Sequence, residues 1–212
     1  MNANKYRILL ISVLIFILST AATASAFMVD LTTPNEAGMP AMVYGTVSGT
    51  VDSSDTSLFH FSIDLAPDLG LTLSGGDNFG MDKFYFNTDL ALTEEMFSAW
   101  DPEAWGISFD KNVAGFGQFD LELTGPGDRT LHLGFDIDFP SAISESNFFL
   151  LSEGNAGNGN GHFAAHIGGF DYQDFGSIQV RDGTVPVPEP GTLLLLSCGL
   201  ICLALIKRKT EK

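Results

Sequence analysis

From Leu131 to Phe139 apolar and polar residues alternate without a break. Leu131, Leu133, Phe135, Ile137 and Phe139 are set against His132, Gly134, Asp136 and Asp138. A strand sends successive side chains to opposite faces, so this period fits a half-buried strand and not a helix. The same period returns in Leu58–Leu65, where Phe59, Phe61, Ile63 and Leu65 alternate with His60, Ser62 and Asp64. It returns again in Phe119–Thr124 and in Phe163, Ala165 and Ile167. Met42–Val51 alternates Val43, Gly45, Val47, Gly49 and Val51 with Tyr44, Thr46, Ser48 and Thr50. Lys83–Asn87, Trp105–Asp110 and Ser177–Val180 read as further short strands.

Between these runs lie turn formers: Asp52-Ser53-Ser54-Asp55, Pro67-Asp68-Leu69-Gly70, Gly75-Gly76-Asp77-Asn78 and Gly125-Pro126-Gly127-Asp128. Leu69, Leu71 and Leu73 keep the alternation going past one of them. Residues 27 to 40, broken by Pro34, Gly38 and Pro40, read as an irregular lead-in. Thr93–Trp100 reads as one or two helical turns with Thr93 as N-cap. Asn147–Leu151 is a short apolar run, and Gly154–Gly161 a flexible low-complexity loop. Many short strands, almost no helix and one apolar phase per strand predict an all-β domain. The expected form is an antiparallel β-sandwich, jelly-roll-like, of two sheets packed through phenylalanine-rich inner faces. A barrel is the alternative, since periodicity does not separate the two.

The ends of the chain have a different character. Lys5 and Arg7 precede an apolar run from Ile8 to Leu18, and Ala24-Ser25-Ala26 follows as a small-x-small site. A span needs about 20 apolar residues, so this run is expected to be a signal peptide over residues 1–26, cut at Ala24-Ser25-Ala26. The mature domain is then 27–184. At the other end, 185–212 reads as a proline-rich spacer, an apolar helix over about 192–206 and a basic stop at Lys207, Arg208 and Lys209. Fifteen residues make a helix of about 22 Å, short for a single transmembrane helix but basic at the end expected to face the cytoplasm.

Charge and cysteine content narrow the function classes. Residues 27–190 hold 25 acidic residues against four cations (Lys83, Lys111, Arg129 and Arg181), a net charge of −21. Such a surface repels phosphate backbones, so no nucleic-acid partner is expected. The two cysteines, Cys198 and Cys202, both lie in the apolar tail, which leaves the domain without a disulfide or a catalytic thiol.

No catalytic residue, cofactor or metal site is predicted. A G-x-S-x-G elbow, an H-E-x-x-H helix and calcium-binding repeats are all missing from the sequence. His132 with Asp136 and Asp138 reads as a solvated polar face. On a strand His162 and His166 stand about 13 Å apart, too far for one ion. Glu94-Glu95 and Asp101 with Glu103 lack a reason to face each other across a cleft, so a secreted hydrolase is the weakest of three readings. Trp100 and Trp105 flank an acidic loop and are the candidate ligand-binding residues, with Tyr85 and Tyr172 nearby, for a sugar-stacking platform. Core packing is their simpler use.

The tail carries the most specific signal. Val187-Pro188-Glu189-Pro190-Gly191-Thr192, then Leu193–Ile206, then Lys207-Arg208-Lys209 resembles the PEP-CTERM sorting domain. The resemblance covers roughly residues 186–209. It implies an exported protein whose sorting motif, Pro188, Glu189 and Pro190, is processed by an exosortase. It further implies an inner-membrane precursor, with the domain in the periplasm and later at the cell surface or outside the cell. The resulting expectation is a non-enzymatic structural or adhesive protein of the surface or matrix. The alternative is a carbohydrate-binding module of the exopolysaccharide matrix.

Overall fold

The structure, a computed structural model, describes residues 26–66, 69, 78–172 and 175–183. Ten strands make it up: β1 (Ala26–Pro34), β2 (Gly45–Val51), β3 (Leu58–Leu65), β4 (Gly80–Phe86), β5 (Phe97–Asp101), β6 (Gly106–Val113), β7 (Gly117–Thr124), β8 (His132–Asp138), β9 (Phe163–Tyr172) and β10 (Phe175–Asp182). Helix is confined, among the described residues, to two short 3-10 turns, Glu94–Met96 and Glu145–Phe148. None is long and apolar enough to cross a membrane.

All the strand ladders are antiparallel and form one sheet in the order β5-β8-β3-β2-β1-β10-β9-β4-β7-β6. The first and last strands therefore meet in the middle. β1 joins β10 through Leu31↔Asp182, Thr33↔Arg181 and Pro34↔Val180, with an irregularity between Leu31 and Thr33. One half of the sheet fans out from β1 and the other from β10.

The halves curl toward each other, as twisted sheets do. Phe61 of β3 lies 5.2 Å, ring centre to ring centre, from Phe86 of β4, although the two strands are far apart in the sheet order. Phe27 of β1 touches Phe59 and Phe61 on one side and Phe163 of β9 on the other. Phe148, carried in by the turn Glu145–Phe148, fills the space between the halves. It lies 4.3 Å from Phe59, 5.1 Å from Phe61 and 6.0 Å from Phe86. Each such ring buried is worth about 1.5–3 kcal/mol.

The half containing β4, β7 and β9 is covered on both faces. A second small core of Tyr85, Val113, Phe116, Phe119 and Ala164 lies on its outer side. The glycine-rich segment expected to be flexible closes over it. Asn158 N–H donates to Gly115 O (2.8 Å), Asn158 Nδ2 to Asn35 O (2.7 Å), and Ser152 Oγ to Phe116 O. The Arg181 guanidinium sits 5.7 Å over the Phe116 ring. Beneath the segment, close approach needs a glycine in β7: a Cβ on Gly117, at φ +89°, would stand 2.3 Å from Glu153 O.

Several expectations change. The lead-in over 27–40 contains the central strand β1, with Phe27, Val29 and Leu31 buried and Met28 exposed. Its breakers lie at or beyond its end, where proline does not interrupt a ladder. The helix expected over Thr93–Trp100 is a single 3-10 turn followed by β5; Thr93 makes no side-chain cap bond. Phe97 (8 % exposed) is drawn into the core instead, so tertiary packing overrides the local helix signal. Hydrogen bonding runs continuously through ten strands, where two sheets were expected. Ala24 of the expected cleavage site, the motif residues Pro188, Glu189 and Pro190, the helix expected over 192–206 and the expected basic stop of Lys207, Arg208 and Lys209 lie outside the described residues. So does most of the run Leu69–Leu73.

Candidate functional site

Each of the four histidines of the chain is bonded to an aspartate: His60, His132 and His166 on the polar faces of strands, and His162 just ahead of β9. Register explains the two on β3 and β8. His60 stands directly opposite Asp136, and Asp64 directly opposite His132, with Ser62 and Gly134 between them. Directly opposed side chains are near enough to bond. His60 Nδ1 lies 2.6 Å from Asp136 Oδ1, and His132 Nδ1 lies 2.7 Å from Asp64 Oδ1.

His60 has a second partner. Its Nε2 is 3.2 Å from Asp52 Oδ2, at the turn leaving β2. The other oxygen of Asp52 accepts from the Ser54 hydroxyl (2.6 Å), the Ser54 amide (2.7 Å) and the Asp55 amide (2.9 Å). Those Ser54 bonds come first in holding the Asp52 carboxyl well below the ordinary carboxylate range, with His60 and the Asp55 amide adding to them. An imidazole bonding carboxylates through both nitrogens must carry both protons. The Asp136 bond accordingly raises the His60 pKa; burial opposes this, and Asp52 adds to the rise.

The other pairs brace the second half. His166 Nδ1 of β9 lies 2.5 Å from Asp82 Oδ1, and Arg129 Nε lies 3.2 Å from the other oxygen. Burial pushes the Asp82 carboxyl up, but His166 and Arg129 outweigh it and hold it low. Asp182, 3 % exposed at the end of β10, accepts from the His162 amide (2.8 Å), His162 Nδ1 (2.7 Å) and the Phe163 amide (3.0 Å). It thereby fixes the start of β9.

These contacts run in the wrong order for nucleophile activation. Ser62 Oγ bonds Asp64 (2.8 Å), and Asp64 bonds His132. A relay needs the hydroxyl on the histidine. Nor, among the described residues, do three His, Cys, Asp or Glu side chains converge to hold a metal ion. What the arrangement does is tie strands together. His60 joins β3, β8 and the turn after β2, while His166 joins β9 to β4.

The remaining sequence candidates are spread out. Trp105, 5 % exposed, packs into the core against Gly125. Trp100 is half-buried, stacked on Phe97 and tilted against Phe135, with ring centres 5.9 and 5.3 Å apart. It lies on edge strand β5, within the irregular stretch between Ser98 and Asp101. Tyr85 belongs to the second core, and its phenol is raised above its ordinary pKa chiefly by burial. Glu94, Glu95, Asp101 and Glu103 are all exposed. Ala26 opens β1 opposite Thr50. The histidine–aspartate pairs escaped the sequence reading because His60 and Asp136 are 76 residues apart. Alternation places each on a polar face but does not tell which strands are neighbours.

Comparison with known families adds one match. The PEP-CTERM protein-sorting motif matches residues 186–209, directly behind the end of the described domain. No curated protein and no solved structure matches the chain. The chain therefore carries the sorting motif of exported proteins processed by an exosortase.

Proposed function

We propose that the β-domain is a structural or adhesive component of the cell surface or extracellular matrix, delivered there by exosortase processing. The observation that carries this reading is the sorting motif at 186–209, which follows within a few residues of Asp182, the last residue of β10. In this reading the segment up to Ala26 directs export. The apolar stretch 192–206 holds the precursor in the inner membrane, with Lys207, Arg208 and Lys209 inside and the domain in the periplasm. The curled sheet then serves as a flattened, sandwich-like body. Its histidines are engaged in strand-to-strand bonds, as suits a rigid surface component.

The test replaces Glu189 by alanine in a host that makes an exosortase. Full-length, membrane-associated precursor accumulates if the reading holds. Unchanged processing and release would remove it. Intact-mass measurement of protein recovered from the native surface reports both processed ends.

Polysaccharide binding is the second reading, and Trp100 favours it. Trp100 stays partly exposed on edge strand β5, next in sequence to the exposed Asp101. Glycan-array binding that is lost in Trp100→Ala supports that reading, and its absence leaves the structural role.

A further inference from the structure

The glycine-rich segment contains the same tripeptide twice. Gly157-Asn158-Gly159 and Gly159-Asn160-Gly161 hold the only two Asn-Gly steps of the sequence. Such a step is reactive because glycine has no side chain to shield its amide nitrogen. That nitrogen closes a five-membered ring when it bonds to the asparagine Cγ. In an unfolded chain the two steps have the same neighbours and react alike. The fold makes them unequal.

Asn158 is exposed, and its backbone lies against a cation. Arg181 Nε and Nη2 both donate to Asn158 O, at 3.2 and 3.0 Å. That oxygen belongs to the same peptide group as Gly159 N. The guanidinium therefore draws charge out of the Gly159 N–H and favours its ionisation. It also lies close to Gly159 itself, where a Cβ would stand 3.0 Å from Nη2. The Gly159 N–H donates to Ala156 O (3.0 Å), a turn bond within the segment that must open first.

Asn160 has the opposite surroundings. Its Nδ2 donates to Ser152 O and to Ser152 Oγ (3.3 Å), and Gly161 N donates to the same Oγ (3.2 Å). Both reacting groups are thus tied to one buried residue. Gly161 is buried as well, and a Cβ on it would stand 2.8 Å from Asp182 Oδ1. A carboxylate at that place opposes ionisation of the neighbouring N–H.

We infer that Asn158–Gly159 is a self-modification site whose reaction loosens the glycine-rich segment, while the fold keeps Asn160–Gly161 inert. Gly159 N gives up its proton and bonds to Asn158 Cγ. The Cγ–Nδ2 bond breaks, and the side-chain nitrogen leaves as ammonia with that proton. Water then opens the cyclic imide at one of its two C–N bonds, giving aspartate or its β-linked isomer. Neither product has the Nδ2 donor that ties Asn158 to Asn35 O (2.7 Å). The β-linked isomer also adds a methylene to the main chain beside the oxygen that Arg181 holds. The cover over Phe116 loses its ties to Asn35 and to Arg181.

The test ages full-length protein in detergent at neutral and mildly alkaline pH, with and without guanidinium chloride, and maps residues 154–161 by mass. In guanidinium chloride both tripeptides are expected to convert at one rate. In the folded protein Asn158 is expected to convert several-fold faster than Asn160, and faster still at alkaline pH. Arg181→Gln is expected to slow Asn158 several-fold. Loss of Arg181 also frees the segment, and freedom alone speeds the reaction, so the sign separates activation from simple restraint. Asn158→Asp is expected to raise proteolysis within residues 154–160 several-fold. Equal conversion of the two asparagines in the folded protein, Asn160 ahead, or no conversion where the unfolded chain converts both overturns the site. Unchanged or faster conversion in Arg181→Gln overturns the role of the guanidinium, and unchanged proteolysis in Asn158→Asp overturns the loosening.

Discussion

His60 bridges two carboxylates, with Nδ1 2.6 Å from Asp136 on the neighbouring strand and Nε2 3.2 Å from Asp52 at the turn. The bridge holds only while the ring is charged, and that fixes the sign of a pH effect. The folded-state pKa of His60 is raised above its ordinary 6.5. Its stabilisation is therefore full below pH 6.5 and is lost as pH rises through the raised value. Asp52 works in the opposite sense. Its folded-state pKa is depressed below 3.8, so its contribution is full above 3.8 and disappears as pH falls through the depressed value. Thermal melting is expected to peak between these limits and to drop by about 2–4 °C on the alkaline side, because the ring is partly exposed to solvent. His60→Gln should flatten that alkaline fall. A melting temperature that keeps rising to pH 9 contradicts the bridge.

Phe148 is fully buried between the curled halves, in contact with rings from both. Truncation to alanine leaves a cavity that the short turn cannot refill by moving. A loss of about 3–5 kcal/mol in urea unfolding is expected for Phe148→Ala, and clearly less for Phe148→Leu. Equal losses would mean that the ring is not wedged between them.

Asp182 accepts two backbone amides and one imidazole while almost wholly buried. Asp182→Ala leaves those donors without partners and is expected to cost about 3 kcal/mol. Asp182→Asn keeps one acceptor oxygen and falls between. The local signature is faster hydrogen exchange at His162 and Phe163, ahead of any change in β3 or β8.

Gly117 combines a left-handed φ of +89° with a carbonyl in the way of any side chain. Gly117→Ala is expected to cost about 2 kcal/mol or more. It should break the paired bonds between Gln118 and Glu153, 2.8 and 2.9 Å long, which hold the glycine-rich segment over Phe116. Proteolysis within residues 154–160 then reports the opening.

Much of the fold is legible in the sequence, for reasons tied to particular stretches. Leu58–Leu65 and His132–Asp138 read cleanly because one face is core and the other is water, so the period of two shows in the residue types. Gly80–Phe86 and Phe163–Tyr172 read less well because the second core buries much of both faces and erases the alternation. β1 carries the right phase, yet its threonines and Pro34 disguise it as a loop. The histidine pairs illustrate the larger gap. Composition shows a chain rich in aspartate, but only register shows that Asp64 and Asp136 are already bonded to histidines. The sorting tail needs no such register, because its signal is linear.

The single ladder between β1 and β10 has a consequence for the timing of export. Among the described residues it is the only ladder between two strands that connects the halves of the sheet, and it joins Leu31 to Asp182; one isolated bridge, Met81 with Thr130, also spans them. A chain threaded outward from its N-terminus presents β1 first and β10 last. Each half can begin to gather its hairpins, but Phe27 meets Phe163 and Phe61 meets Phe86 in register only after the seam closes. Folding is thus completed at the moment the sorting tail arrives. A domain cut short in translocation is left with its central strand open on one side, a ready substrate for proteases that clear unfinished chains. Only a chain delivered almost in full acquires both a closed sheet and the motif that releases it.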